Sequence, residues 1–114
     1  MIPMNYVSQF TFYTIPEYYF IMTQSTVEFS KEVMVTNELG VHARSAALIA
    51  KLAQKSGSKI WLIKDSEKVD ASSIIDILTL GCACGSKITL ALDDRKDMAI
   101  FNEIVDLIET GFGE

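Results

Sequence analysis

The chain has 114 residues, a formal net charge of −5 and a pI near 4.8. This length fits one compact domain, and the acidic balance argues against nucleic-acid binding, which needs a basic stripe or a domain pI above about 9. Cys82 and Cys84 are too few and too close for the disulfide framework of a small secreted domain, and with a single histidine they make a poor metal site. We therefore expect a cytoplasmic protein without a metal ion or other cofactor.

Residues 1–21 differ in composition from the rest of the chain. They hold all four tyrosines, both prolines and three of the six phenylalanines, with one charged residue, Glu17. No basic leader precedes an uninterrupted apolar run, so neither a signal peptide nor a membrane span is indicated. The interpretation we prefer takes Met22 as the translation start and 22–114 as the domain. The other takes residues 1–21 as an arm that packs its aromatic side chains on a partner or on the core.

The first part of the domain is predicted as a strand and a helix. Residues 27–36 place most of their apolar side chains at alternate positions, which predicts a half-buried strand. Residues 43–55 are rich in alanine, leucine and isoleucine without proline or glycine, which predicts a helix of about three turns. We expect Gly57 to end it in the left-handed conformation. Five alanines are expected to bring this helix close to the sheet: Ala43, Ala46, Ala47, Ala50 and Ala53.

The later elements complete a two-layer architecture. They are, in order, a strand at 60–63, a short strand at 68–70, a helix that begins after the capping residues 70–73 and ends by Gly81, a strand at 87–92 and a terminal helix after Asp94. The order βαββαβα predicts an α+β open-faced sandwich. Its three helices cover one face of a mostly antiparallel four-stranded sheet, and the other face meets solvent.

The single histidine, His42, lies directly before the first predicted helix, with Arg44 two positions on. A helix N-terminus carries unpaired N–H groups and about half a positive charge, so it favours a phosphate dianion. Arg44 adds a forked donor for the same oxygens. A neutral imidazole can attack phosphorus and form a phosphohistidine. The alternative is that His42 only flanks the helix and Arg44 is solvated surface.

Three stretches carry a family resemblance: residues 37–44 (Asn-Glu-Leu-Gly-Val-His-Ala-Arg), residues 71–75 (Ala-Ser-Ser-Ile-Ile) and Leu80-Gly81. Together they resemble the HPr family, the phosphocarriers of the bacterial phosphoenolpyruvate-dependent sugar phosphotransferase system. The resemblance covers residues 27–114 and implies the same βαββαβα sandwich. It also implies that His42 accepts a phosphoryl group from Enzyme I and passes it to the IIA domain of a sugar permease, with Arg44 stabilising the phosphate. Such a protein is a carrier with a covalent intermediate rather than a free-standing enzyme.

The resemblance further implies a regulatory site at Ser73. This serine matches the position that an ATP-dependent HPr kinase/phosphorylase modifies in many family members. A phosphate there would lie at the start of the second helix, where the helix end favours added negative charge. The alternative is that Ser72 or Ser73 is simply the N-cap of that helix.

A partner-binding patch is implied on the same helix. Ile74, Ile75 and Leu78, with Ala47 on the first helix, match the surface through which family members dock on Enzyme I and IIA. The alternative is that Ile74 and Leu78, one turn apart, are buried. We expect at least one of the three large side chains to be exposed, because four apolar residues in five positions cannot all face inward from one helix.

Three positions depart from the family pattern. Ser45 stands where most members have proline, so we expect a less rigid His42 loop. Asp76 occupies a position where glycine or a basic residue is usual, and Ser72 one where lysine is common in some branches. The docking face is then less basic, and we expect weaker steering by the acidic Enzyme I surface.

Other functions stay open on the sequence alone. The protein could be a regulatory relay, or an interaction module controlled by phosphorylation of Ser73, that does not feed a sugar permease. A third hypothesis is a non-phosphorylated interaction module, in which Ser73 or the patch of Ile74 and Ile75 binds a transcription factor. His42 weighs against a pure adaptor, which needs no nucleophile. As a small carrier that visits two partners, the protein is expected to be monomeric, with no nucleic-acid or membrane partner.

Overall fold

The structure is a computed structural model that describes residues 29–114. The expected start at Met22 and the first residues of the predicted strand, from Val27, lie outside the described residues. The elements are β1 Phe29–Met34, α1 Ala43–Ala53, β2 Ile60–Lys64, β3 Glu67–Asp70, α2 Ile74–Thr79, β4 Lys87–Leu92 and α3 Met98–Glu109, with 3₁₀ turns at Arg95–Asp97 and Gly111–Gly113. None of the helices in this part of the chain is long and apolar enough to cross a lipid bilayer.

The four strands form one antiparallel sheet in the order β1-β4-β2-β3. Val33 of β1 faces Ile88 of β4, and Leu62 of β2 faces Leu90 of β4. These inward side chains are buried together with apolar residues of all three helices, among them Phe101 of α3. The predicted α+β open-faced sandwich and its element order are thereby confirmed.

The end of α1 differs from the prediction. The helix stops at Ala53 rather than Lys55, and Gln54 keeps a right-handed backbone with φ −67°. Gly57 does not take up the left-handed conformation that we expected. Its N–H instead donates to Asp97 Oδ1 at 3.3 Å, so a carboxylate just before α3 accepts the hydrogen bond of this loop. The turn therefore depends on a long-range hydrogen bond and not on the conformational freedom of glycine.

The small side chains of α1 divide between core and surface. Ala46, Ala50 and Ala53 are buried against the core, as their spacing predicts. Ala47 is half-buried. Ala43 is exposed, so the prediction that it packs on the sheet was wrong. It is the first residue of the helix, and the core-facing stripe begins only at the end of that first turn.

Two further boundaries depend on turn chemistry. Asp65 and Ser66 both have positive φ, 50° and 72°, which joins β2 to β3 in a tight hairpin. Asp94 caps a 3₁₀ turn by accepting the Lys96 N–H at 3.0 Å, and α3 begins only at Met98. The terminal helix is thus shorter at its start than the sequence suggested.

Candidate functional site

The loop before α1 is held against a second loop by close backbone contact at Gly40. Gly40 has φ +67°, and a Cβ placed on it would lie 2.6 Å from the carbonyl oxygen of Cys82. The same carbonyl accepts the N–H of the next residue, Val41, at 2.8 Å. Only glycine combines this backbone conformation with so short an approach. The position of His42 is therefore set from both sides, by this contact and by the helix that follows.

His42 is the N-cap of α1, with an extended backbone at φ −125° and ψ −175°. Its carbonyl accepts the Ala46 N–H at 2.8 Å. The fully buried Ser45 hydroxyl accepts the His42 N–H at 2.9 Å and donates to the His42 carbonyl at 3.2 Å. A proline side chain could make neither bond. The expected loss of loop rigidity is therefore offset by hydrogen bonds that this substitution introduces.

A carboxylate, that of Glu114, lies between the His42 ring and the Arg44 guanidinium. Its Oε2 atom is 2.6 Å from His42 Nε2 and 2.7 Å from Arg44 Nη2. Arg44 also donates to the Phe112 carbonyl at 3.2 Å. The His42 side chain is 32% exposed, so the ring is not sealed inside the core. His42 and Arg44 thus converge on one anionic oxygen at the start of α1.

Asn37 holds the other side of the same carboxylate. Its buried side-chain amide donates to Glu114 Oε1 at 2.8 Å and to the Gly40 carbonyl at 2.7 Å. Within the described residues, Asn37 Oδ1 is buried without a hydrogen-bond partner. The amide therefore joins the end of the chain to the loop that carries His42.

Glu114 is ionised over the whole physiological range. The Arg44 guanidinium, assisted by the Asn37 amide and the His42 ring, lowers the pKa of Glu114 from 4.5 to about 2. A carboxylate accepts hydrogen bonds and donates none, so the hydrogen in the short contact belongs to His42 Nε2. In the neutral ring this tautomer leaves the lone pair on Nδ1.

Glu114 was not among the residues singled out from the sequence. It lies 72 positions from His42 along the chain, and no local pattern links the two. The turn Gly111–Gly113 folds the end of the chain back beside α1, with Phe112 buried at φ 57°. The glycines on either side of Phe112 were the one available sign of a sharp turn there.

Ser73 is the N-cap of α2, and its hydroxyl accepts the Asp76 N–H at 3.3 Å. Ser72 plays a different part, because its hydroxyl donates to Asp70 Oδ1 at 2.7 Å. Of the two candidate caps, Ser73 is therefore the one that caps the helix. The Ser73 side chain is half-buried.

The three large side chains of α2 that we singled out are all exposed. Ile75 is 73% exposed, and Ile74 and Leu78 are each 39% exposed. The alternative in which Ile74 and Leu78 are buried is wrong, because Ile77 takes the inward position at 1% exposure. We call Ile74, Ile75 and Leu78 the α2 patch. Two further apolar side chains that the sequence reasoning missed are exposed in the described residues: Leu39, beside Gly40, at 73%, and Met34, at the end of β1, at 44%.

The two cysteines are free thiols in different surroundings. Cys82 is buried, and burial raises the pKa of its thiol, which makes it a poor nucleophile. Cys84 is exposed and lies 3.7 Å from the Thr36 carbonyl. Cys82 acts through its backbone, which supports the loop of Gly40.

Residues 29–110 match the sequence model of the PTS-HPr family, described as the PTS HPr component phosphorylation site. Phosphocarrier protein HPr of Treponema pallidum is 38% identical over 84 residues, which cover 74% of this chain and 96% of that protein. HPr-like protein Crh of Halalkalibacterium halodurans is 34% identical over 79 residues, 69% of this chain and 94% of that protein. The crystal structure of HPr-C-His from Thermoanaerobacter tengcongensis aligns with 75% of this chain and 97% of its own, at TM-score 0.71 and 38% identity.

Proposed function

This chain belongs to the HPr family of phosphocarrier proteins of the phosphotransferase system, and on that basis we propose that His42 accepts a phosphoryl group from Enzyme I and passes it to the IIA domain of a sugar permease. One observation supports the proposal above the others. His42 Nε2 and Arg44 Nη2 lie within 2.6 Å and 2.7 Å of the same anionic oxygen at the start of α1. Such a site favours negative charge through the guanidinium and the helix N-terminus together.

In the proposed transfer, the lone pair of His42 Nδ1 attacks phosphorus. A new nitrogen–phosphorus bond forms, and the bond from phosphorus to its donor atom on Enzyme I breaks with its electron pair. The imidazole then carries positive charge, because both of its nitrogens are substituted. Glu114 stabilises that charge through the hydrogen bond from Nε2, so we assign it as a positioning residue. In the second transfer, an acceptor atom of IIA forms a bond to phosphorus. The nitrogen–phosphorus bond breaks, and its electron pair returns to Nδ1.

Arg44 is proposed to stabilise the phosphoryl oxygens during both transfers. In the unphosphorylated protein its guanidinium is bound to the Glu114 carboxylate, so the incoming phosphate competes with that carboxylate for the same donors. Glu114 keeps its hydrogen bonds from Asn37 and His42 when it gives up Arg44. Since Arg44 is 54% exposed, it can move to the phosphate without disturbing the core.

The test is incubation with phosphoenolpyruvate and Enzyme I, followed by mass spectrometry. We expect the mass gain of one phosphate, labile in acid, and its loss in His42→Ala. An acid-stable label, or a label that survives in His42→Ala, would contradict the assignment. Arg44→Ala should slow the transfer, whereas Lys51→Ala, which removes another exposed charge from α1, should not.

The partners follow from the same proposal. The α2 patch, with the half-buried Ala47 of α1 beside it, would dock on Enzyme I and IIA in turn, since α1 and α2 pack against each other. The protein would work as a monomer in the cytoplasm. Transfer from the phosphorylated protein to a sugar-specific IIA domain tests the last step, and failure of that step alone would limit the function to a relay that does not feed a permease.

A regulatory function is the second candidate. The similarity to HPr-like protein Crh and the position of Ser73 at the N-cap of α2 favour it. In this version HPr kinase/phosphorylase modifies Ser73, and the protein acts as a relay or interaction module. Incubation with that kinase and ATP should then add an acid-stable phosphate that Ser73→Ala abolishes and Ser72→Ala retains. No incorporation would leave Ser73 as a helix cap alone.

A further inference from the structure

Strand β2 is apolar on both faces, although the helices within residues 29–114 cover only one. Ile60 and Leu62 point into the core and are 2% and 1% exposed. Trp61 and Ile63 alternate with them and so lie on the face away from the helices. Antiparallel strands with one solvated face usually alternate apolar and polar residues, and strands that are apolar throughout are usually covered on both sides. The composition of β2 is therefore typical of a strand that is covered on both faces.

The neighbouring strand continues this apolar surface. Ala91 of β4 lies opposite Trp61, and Thr89 lies opposite Ile63. Ala91 is only 1% exposed, although it is not part of the main core cluster. We call the partly exposed Trp61, Ile63 and Thr89, with the buried Ala91 opposite Trp61, the outer strip. The Trp61 indole is fixed at one end of it, because its N–H donates to Asp93 Oδ1 at 3.1 Å.

The start of β1, the first described element, lies close to this surface. Ser30 of β1 lies opposite Ala91, which in turn lies opposite Trp61. Since neighbouring strands are about 4.8 Å apart, Trp61 lies roughly 10 Å from Ser30 across the sheet. Residues 22–28 alone can extend to roughly 23 Å, so the residues before Met22 can lie anywhere along the strip. A tethered segment also meets the strip at an effective concentration in the millimolar range.

The composition of residues 1–21 complements this surface. The segment holds all four tyrosines and three of the six phenylalanines with a single charge. The ammonium groups of Lys68 and Lys59 lie 4.5 Å and 5.9 Å from the Trp61 ring centroid. Aromatic rings are favourable neighbours for cations, so aromatic side chains of the segment suit a position beside these two lysines. We propose that residues 1–21 dock on the outer strip, with Trp61 at the centre of the contact. The proposal takes the second interpretation of this segment, the arm.

The single tryptophan of the chain is the probe for this contact. We would compare the Trp61 emission maximum and its quenching by acrylamide in the full chain and in a variant that starts at Met22. We expect a blue-shifted maximum and weaker quenching in the full chain, at all protein concentrations. In the full chain, Ile63→Lys should remove both effects, whereas Glu103→Lys, on the exposed surface of α3, should keep them.

Three results would overturn the proposal. The first is identical Trp61 emission and quenching in the two forms, which leaves the strip uncovered by the arm. The second is a difference that appears only at high protein concentration, which assigns the strip to a second copy of the chain. The third is an intact mass of the native protein that begins at Met22. Phosphoryl acceptance on His42 is measured separately, so its success or failure does not decide this test.

Discussion

Replacing Gly40 by alanine is the sharpest test of how the His42 loop is positioned. The new Cβ would lie 2.6 Å from the Cys82 carbonyl oxygen and 2.9 Å from the Ala83 Cα, so backbone must move on one side or the other. The left-handed backbone adds a penalty of about 1–2 kcal/mol for a residue with a Cβ. Overpacking in a tight site adds about 1–3 kcal/mol. We therefore expect Gly40→Ala to lower the free energy of unfolding by about 2–5 kcal/mol.

Gly81 provides the matched control. It has a similar backbone, φ +62°, but a Cβ there meets nothing within 4 Å. Gly81→Ala should therefore show only the backbone penalty of about 1–2 kcal/mol. Urea unfolding at constant slope measures both variants, and the difference between their midpoints isolates the close contact with residues 82 and 83. Equal midpoints would refute the claim that this contact restricts residue 40 to glycine.

The loop shift should also slow phosphorylation of His42. A displacement of about 1 Å in a reacting group can cost about 100-fold in rate. Gly40→Ala should accordingly accept phosphate from Enzyme I far more slowly than the parent, even at a temperature where it stays folded. Circular dichroism of the same sample checks the folding. A folded variant with the parent rate would show that loop position does not limit the transfer.

Three further predictions concern the surroundings of the site. Ser45→Ala should lose about 1 kcal/mol of unfolding free energy in urea, because the His42 N–H loses its acceptor, and an unchanged midpoint would contradict the assigned bond. The ionised Glu114 carboxylate contributes to the free energy of unfolding; this contribution is complete above pH 4.5 and is lost as pH falls through its folded-state pKa of about 2. Between pH 6 and pH 3, the free energy of unfolding should therefore fall more in the parent protein than in Glu114→Gln. Equal losses would show that the carboxylate is not held as described. Ile75→Asp should slow phosphorylation by Enzyme I and leave the urea midpoint unchanged, since Ile75 is 73% exposed. A phosphorylation rate equal to that of the parent protein would place the docking surface elsewhere.

The sequence predicted those features of the fold that depend on local patterns. Alternation places Val33 and Val35 inward, and the polar run before Ile74 does mark the cap of α2. The position of His42 directly before α1 was also readable, because helix starts carry strong local signals. These features need only a few neighbouring residues, so a single sequence contains them.

The features that were missed depend on distant contacts. Local propensity predicts a left-handed conformation for Gly57, but its N–H donates to Asp97, 40 positions later, and its backbone stays out of that region. Glu114 reaches His42 only because α3 and its final turn bring the end of the chain back to α1. From the sequence Ser45 is only the absence of a proline, whereas in the fold its hydroxyl makes two hydrogen bonds to the His42 backbone. Tertiary packing decides all three, and local propensity contains no information about it.

In the resting protein, the Glu114 carboxylate occupies the guanidinium of Arg44 at the start of α1. Inorganic phosphate and sulfate from the surrounding medium must compete for Arg44 with a carboxylate that is attached to the same chain and is also held by Asn37 and His42. A tethered competitor of this kind acts at millimolar effective concentration. Free oxyanions are therefore poor occupants of the site, and a phosphoryl group presented by a docked protein has the advantage over them.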